Sequence, residues 1–274
     1  MKSYNGANFQ RPVGSVKFDN QGRVVVVSGG SQGIGAAICK AFFDSGGYVA
    51  CLDVREPAES IQSDRYHWLQ CDTSSEQQCA SAISQVVQRW AGVDVLVNNA
   101  AIQPPNSYVP LDQLEQSAWQ QMIAVNLSGY TFLAKHAVKQ MLLQGSGVIV
   151  NMSSGQGHRT ARQVPCYGPI KAANLMQTKQ WAIEYARHGI RVVSVSPGAI
   201  DTPLVRASLQ AQGGHAALAN RHPIGRIGRP DEIAQAVLWL SSSAASFVTA
   251  TDLEVDGGLG GLGAFADPYP MPKD

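Results

Sequence analysis

The chain has 274 residues, 45% of them hydrophobic, and a formal net charge of +1. That length fits one α/β domain with a large core, and the balanced charge gives no electrostatic footprint for nucleic acid or an anionic membrane surface. The five cysteines (Cys39, Cys51, Cys71, Cys79, Cys166) are scattered without a C-x-x-C pair, so they read as reduced core thiols of a cytoplasmic protein. The six histidines show no metal-ligand spacing, so no metal site is expected. No basic-then-apolar leader and no membrane-spanning apolar run is visible.

Residues 1–22 are polar and read as a loose lead-in. Val24 to Val27 are four consecutive valines, which cannot alternate inside and outside and predict a strand covered on both faces. The turn Gly29-Gly30-Ser31-Gln32-Gly33-Ile34-Gly35 follows, and residues 36–43 resume at helical spacing. A helix N-terminus offers free N–H groups and partial positive charge to a pyrophosphate, and glycine lets the backbone approach it. Tyr48 to Leu52 is a second strand ending in Asp53, at the place where a dinucleotide fold holds the adenosine ribose hydroxyls. Residues 54–57 are expected to turn into a short helix. Tyr66 to Cys71 reads as a third strand closed by Asp72. Thr73 or Ser74 is expected to cap the next helix, which carries Ala80, Ile83, Val86, Val87 and Trp90. Strands alternating with helices predict a doubly wound sheet.

Val93 to Val97 is the fourth strand and runs into Asn98-Asn99-Ala100-Ala101, followed by a proline-bearing loop to Pro110. A long amphipathic helix spans 116–143 and contains Asn126. The fifth strand, Gly147 to Met152, ends in Ser153-Ser154. Tyr167 opens a helix that runs to about residue 187, with Lys171 one turn on. An ordinary phenol, with a pKa of about 10, is a poor base at neutral pH, and a neighbouring ammonium lowers that value. Lys171 is therefore expected to tune Tyr167 toward general acid/base work. Residues 189–196 are the sixth strand, followed by Pro197-Gly198 and Thr202. Residues 203–222 read as an interrupted helix suited to a substrate lid, Pro230 starts another helix, and residues 251–258 form the seventh strand. The tail over 259–274 shows no period.

The glycine spacing G-x-x-x-G-x-G, N-N-A-A, Asn126 within V-N-L, S-S before Y-x-x-x-K, P-G-x-x-x-T and the closing D-G-G stand in order over residues 24–258. Together they resemble the short-chain dehydrogenase/reductase family, with Ala101 standing where the family has glycine. The resemblance implies a single-domain Rossmann-type fold over 1–274, a doubly wound parallel sheet of about seven strands with helices on both faces. It implies Asn126, Ser154, Tyr167 and Lys171 as the catalytic set. It implies a nicotinamide dinucleotide held by Gly29, Ser31, Gln32, Gly33, Ile34, Gly35, Asp53, Asp72, Asn99, Tyr167, Lys171, Pro197, Gly198 and Thr202.

The implied activity is hydride transfer between the cofactor and a small-molecule alcohol or ketone. Asp53 favours NAD over NADP, because a carboxylate repels a 2′-phosphate, although Arg55 stands nearby. The alternatives are an NADPH-dependent 3-oxoacyl reductase, a hydroxysteroid-type dehydrogenase, and a cofactor-binding protein without catalysis, against which the complete catalytic set argues. His158, Arg159 and Arg162, just after Ser154, suggest cations facing an anionic sugar-like substrate. Long apolar helices over 116–143 and 165–187 are expected to leave Met122, Met141, Met176 or Trp181 exposed, hence a homotetramer or homodimer.

Overall fold

The computed structural model describes residues 14–59, 61–209 and 213–263. The start of the lead-in (1–13) and the end of the tail (264–274) lie outside the described residues.

In chain order the regular elements are β1 (Val24–Ser28), α1 (Gly33–Asp44), β2 (Tyr48–Asp53), β3 (Tyr66–Gln70), α2 (Glu76–Trp90) and β4 (Val95–Asn98). They continue with α3 (Gln116–Ile123), α4 (Gly129–Gln144), β5 (Gly147–Met152), α5 (Tyr167–Tyr185) and β6 (Ile190–Pro197). The last are α6 (Pro203–Ser208), α7 (Gly214–Asn220), α8 (Pro230–Ser241) and β7 (Asp252–Val255). The strands form one sheet of order β3-β2-β1-β4-β5-β6-β7, and every neighbouring pair is parallel.

The valine run explains the layers. Val24 and Val26 pack with α2 and α4 residues such as Ile83, Val86, Leu133 and Met141. Val25 and Val27 pack on the other face with Ile38, Phe42, Ile233 and Val237 of α1 and α8. Successive strand side chains point to opposite faces, so a strand buried on both faces is apolar wherever a side chain lacks a polar partner; all five residues of β1 are buried, the four valines in the two cores and Ser28 bonded to the Asn99 and Ala100 N–H groups. The strand order reverses between β1 and β4, and the crevice at such a switch point, beyond the carboxyl ends of the strands, is where open α/β sheets bind ligands.

Some local expectations change. Residues 54–65 hold bends and turns, with no helix among the described ones. The Asp53 carboxylate accepts the Arg55 N–H at 3.1 Å, which holds the chain in a turn, and Pro57 lacks an N–H to continue a helix. The cap of α2 is Ser75, whose Oγ accepts the Gln78 N–H at 3.3 Å. Ser74 is committed instead to Asp72, donating both its N–H and its hydroxyl. The 116–143 helix is interrupted by a π-helical segment, Ala124–Ser128. Met122 and Met141 are fully buried, and Trp181 packs half-buried on the core. The exposed apolar side chains on α5 are Met176, at 62%, and Ile183, at 78%.

Candidate active site

The carboxyl ends of β1, β4, β5 and β6 border a cleft of ≈ 320 Å³. One half is built by the glycine turn. Gln32, the residue before α1, makes no side-chain cap bond, so the first amides of α1 are left for an anion. Gly35 is required by packing: a Cβ there would overlap the Gly29 carbonyl oxygen and lie 2.6 Å from Asn99 Nδ2. Asn99 pins the turn by donating from Nδ2 to the Ser28 and Gly29 carbonyls, 3.0 Å each. Asp53 accepts the Ser31 N–H at 3.1 Å, and the Ser31 hydroxyl donates to the Arg55 carbonyl at 2.6 Å. The carboxylate is thus fixed at the rim of the turn. This set of free helix amides, a close-packed glycine turn and an anchored acid fits a dinucleotide.

Gly29, Gln32, Gly33, Ile34, Asp53, Asn99, Pro197, Gly198 and Thr202 all line the cleft. Thr202 also caps α6, accepting the Val205 N–H at 3.3 Å. Ser31 and Gly35 support the turn from behind. Asp72 is not among the lining residues, although its neighbours Cys71 and Thr73 are. The carboxylate that was expected at the cofactor is occupied by Ser74.

The other half holds Ser154, Tyr167 and Lys171, all on the cleft wall. Ser154 ends the strand side of the cleft, where its Oγ accepts the Gln156 N–H at 3.1 Å. Burial, with Tyr108 nearby, pushes the Tyr167 phenol up to about 12, against the smaller opposing influence of Ser154. Lys171 is 1% exposed, and burial lowers its amine to about 7. Its Nζ donates to the Met152 carbonyl at 2.6 Å and to the Tyr130 hydroxyl at 3.1 Å, and stands 5.7 Å from the centre of the Tyr167 ring. The expected lowering of Tyr167 by Lys171 is therefore absent from this structure: the amine is turned toward β5 and half-neutralised by burial.

Asn126 sits in the π segment. Its Oδ1 accepts the Ile102 N–H and its Nδ2 donates to the Ile102 carbonyl, 2.8 Å each. Its own carbonyl accepts from Asn174 Nδ2 at 3.1 Å. Asn126 is wholly buried behind the cleft, where it ties the loop after β4 to the interrupted helix.

The cations after β5 turn away. His158 Nε2 lies 2.8 Å from Asp252 Oδ2, and Arg159 bonds the Leu259 carbonyl at 3.2 Å and sits 3.7 Å from Glu254. Neither they nor Arg162 line the cleft. The acidic positions of β7 draw two of them, and that pairing overturns the expectation of cations beside the serine.

A family model described as enoyl-(acyl carrier protein) reductase matches residues 29–260. Cis-4-hydroxycyclohexanecarboxylate dehydrogenase of Sinomonas cyclohexanicum is 40% identical over 242 residues, covering 86% of this chain and 96% of that one. The chain belongs to the short-chain dehydrogenase/reductase family. Its fold is similar to that of ligand-free aldohexose dehydrogenase of Thermoplasma acidophilum, with TM-score 0.85, 35% identity, and 92% and 100% of the two chains covered. It is also similar to 3-ketoacyl-(acyl-carrier-protein) reductase of Brucella melitensis, solved with NADH, at TM-score 0.81 and 28% identity, with 88% and 99% covered.

As a member of this family the chain is a nicotinamide-dependent oxidoreductase of alcohol and ketone groups. Among the described residues no group of three His, Cys, Asp or Glu side chains stands together to hold a metal, and no helix is long and apolar enough to cross a membrane.

Three residues that support the cleft from outside its lining were missed in the sequence. Ser28 Oγ accepts the Asn99 and Ala100 N–H groups at 3.0 and 3.1 Å. His222 accepts the Ala199 N–H at Nε2 and faces the Leu218 carbonyl with Nδ1, at 3.1 and 3.0 Å. A backbone N–H must donate and a carbonyl must accept, so the proton sits on Nδ1, and the ring joins α7 to the loop after β6. Tyr130 is the third. Its hydroxyl meets Lys171, 41 residues along the chain, a contact no local spacing reports.

Proposed function

We propose that this dehydrogenase oxidises, and in reverse forms, a secondary alcohol of a small cyclic or sugar-like metabolite, such as a sugar or sugar acid, with NAD(H). The observation that carries the reading is that Ser154, Tyr167 and Lys171 stand together on the wall of the same cleft as the glycine turn. Bound there, the nicotinamide supplies the hydride acceptor or donor. Ser154 orients the substrate oxygen. Tyr167 takes the hydroxyl proton in oxidation or gives one in reduction. Lys171 exchanges that proton with the phenol, and Asn126 carries a water that links the amine to solvent. Gly29, Gln32, Gly33, Ile34 and Asn99 carry the pyrophosphate end of the cofactor, and Pro197, Gly198 and Thr202 its nicotinamide end.

Asp53 supports NAD over NADP. Asp53 lines the cleft; a carboxylate there would accept from ribose hydroxyls, and its repulsion of a 2′-phosphate is worth about 1–4 kcal/mol. Arg55 lines the same end and is the observation favouring the second reading, an NADPH-dependent 3-oxoacyl reductase. We assign the protein to the cytoplasm, in keeping with five cysteines that are all free and buried. We assign it to a homotetramer or homodimer, because Met176 and Ile183 leave an apolar stripe on α5.

The test is kcat/KM with NAD and with NADP, on neutral and carboxylated cyclic alcohols, for wild type, Asp53→Ala and Tyr167→Phe. Wild type prefers NAD by at least about tenfold, Asp53→Ala loses most of that margin, and Tyr167→Phe falls about 10²–10⁴-fold while still binding cofactor. A wild type that works better with NADP moves the reductase reading to first place, and near-normal turnover by Tyr167→Phe removes the catalytic assignment.

A further inference from the structure

Tyr130 is the second residue of α4 and the largest fully buried side chain among the described residues. Its hydroxyl makes two hydrogen bonds, donating to the Met152 carbonyl at 3.0 Å and accepting from Lys171 Nζ at 3.1 Å. Lys171 Nζ also donates to that same carbonyl at 2.6 Å. The three groups close a polar triangle inside the protein. Its neighbourhood is fixed on every side: Met152 is the last residue of β5, and Gly129 packs so closely on Thr73 that a Cβ would lie 2.9 Å from it.

Hydrogen-bond logic forces the polarity of the triangle. A carbonyl can only accept, so the single Tyr130 proton goes to Met152 and a phenol lone pair faces Lys171. Burial pushes the Tyr130 phenol well above its ordinary value, so the hydroxyl keeps that proton throughout the working range. Packing needs only the ring, which phenylalanine would supply. The oxygen serves the amine and the carbonyl alone, and burying it unpaired would cost stability.

We propose that Tyr130 is a positioning residue whose hydroxyl, together with the Met152 carbonyl, cradles the Lys171 amine and favours its charged form. The ammonium is held by two fixed acceptors and stands 5.0 Å from the centre of the Tyr130 ring, which also attracts a cation. The cradle thus opposes the burial that lowers the amine. It also sets the place from which Lys171 must turn to serve Tyr167. Only the kinetic arm of the test rests on the assignment of Lys171 to proton exchange with Tyr167; the titration arm does not.

The experiment compares wild type with Tyr130→Phe. The Lys171 side chain is titrated by NMR in cofactor-free protein carrying isotope-labelled lysine, with Lys171→Met identifying the resonance. A hydrogen bond to a charged group supports a fall of about one pH unit in the Lys171 midpoint, tenfold in the equilibrium. The pH break in kcat/KM moves down with it, while kcat on its plateau changes less than about threefold, since Tyr130 touches neither reactant. A second variant, 3-fluorotyrosine at position 130, keeps ring and hydroxyl but makes the oxygen a weaker acceptor. It lowers the midpoint in the same direction and serves alone if the phenylalanine protein does not fold. A Lys171 midpoint unmoved in the folded variants overturns the proposal and leaves Tyr130 as packing. A moved midpoint with an unmoved kinetic break keeps the cradle and instead removes Lys171 from the reaction.

Discussion

Replacing Lys171 by methionine removes the one fully buried amine among the described residues, and the consequence for stability can be worked from its surroundings. Burial lowers the amine from 10.5 to about 7. Between those values the unfolded chain carries a proton that the folded chain has shed, so stability rises with pH across that window. Below about 7 both states are charged and the burial penalty is borne in full; above about 10.5 both are neutral and it is gone. Integrating the two titrations from pH 7 to pH 9 gives wild type a gain of about 2 kcal/mol that Lys171→Met lacks. Every other titrating group is common to the two proteins and cancels in the difference. Urea unfolding followed by tryptophan fluorescence, on cofactor-free protein at one concentration, measures this at each pH. Parallel stability profiles for the two proteins would show that Lys171 titrates at its ordinary value and would refute the reasoning.

Gly35→Ala places a methyl group against the Gly29 carbonyl and Asn99, so the turn must open; loss of NADH binding by fluorescence, with a fall in melting temperature, is expected. Ile183→Asp puts a charge into the exposed apolar stripe of α5, and light scattering should show a smaller assembly with the fold kept by circular dichroism.

The frame of the fold was legible because it is written locally. Four valines without alternation require two covered faces, and the two core clusters divide the run as Val24 and Val26 against Val25 and Val27. The glycine turn, the acid at the end of β2 and the Tyr–Lys pair one turn apart are also short-range features. What stayed hidden depends on partners far along the chain. Arg159 finds Glu254 and Leu259, and Lys171 finds Tyr130 and Met152. No local pattern reports which of several cations on a loop meets an acid on the last strand. The same limit explains the tyrosine: spacing put an amine beside the phenol, but the direction of the amine was decided by a carbonyl at the end of β5. The missing helix after Asp53 was a local misreading, since the carboxylate bonds the amide of Arg55 and turns the chain before a helix can start.

The proton inventory of the resting cleft makes a last prediction. Tyr167 lies near 12 and Lys171 near 7, so at neutral pH the phenol holds its proton and the amine is about half charged. Oxidation of an alcohol leaves a proton on the Tyr167–Lys171 pair and therefore needs that pair short of one; reduction of a ketone needs it full. The proton the pair gives up most easily is the one on Lys171. Oxidation should then rise through about pH 7 to a plateau, and reduction should be level below about pH 7 and fall above it. The ratio of the two rates must change tenfold per pH unit in any mechanism, because one proton is released for each alcohol oxidised. What the structure adds is the position of the break. Initial-rate kcat/KM profiles in both directions, measured from pH 5.5 to about 10.5, locate it. A break near 7 that moves upward in Lys171→Met assigns it to the amine. A break at 10 or above, the range of a phenol acting alone, would mean that Tyr167 titrates without Lys171 and that the buried amine takes no part in moving the proton.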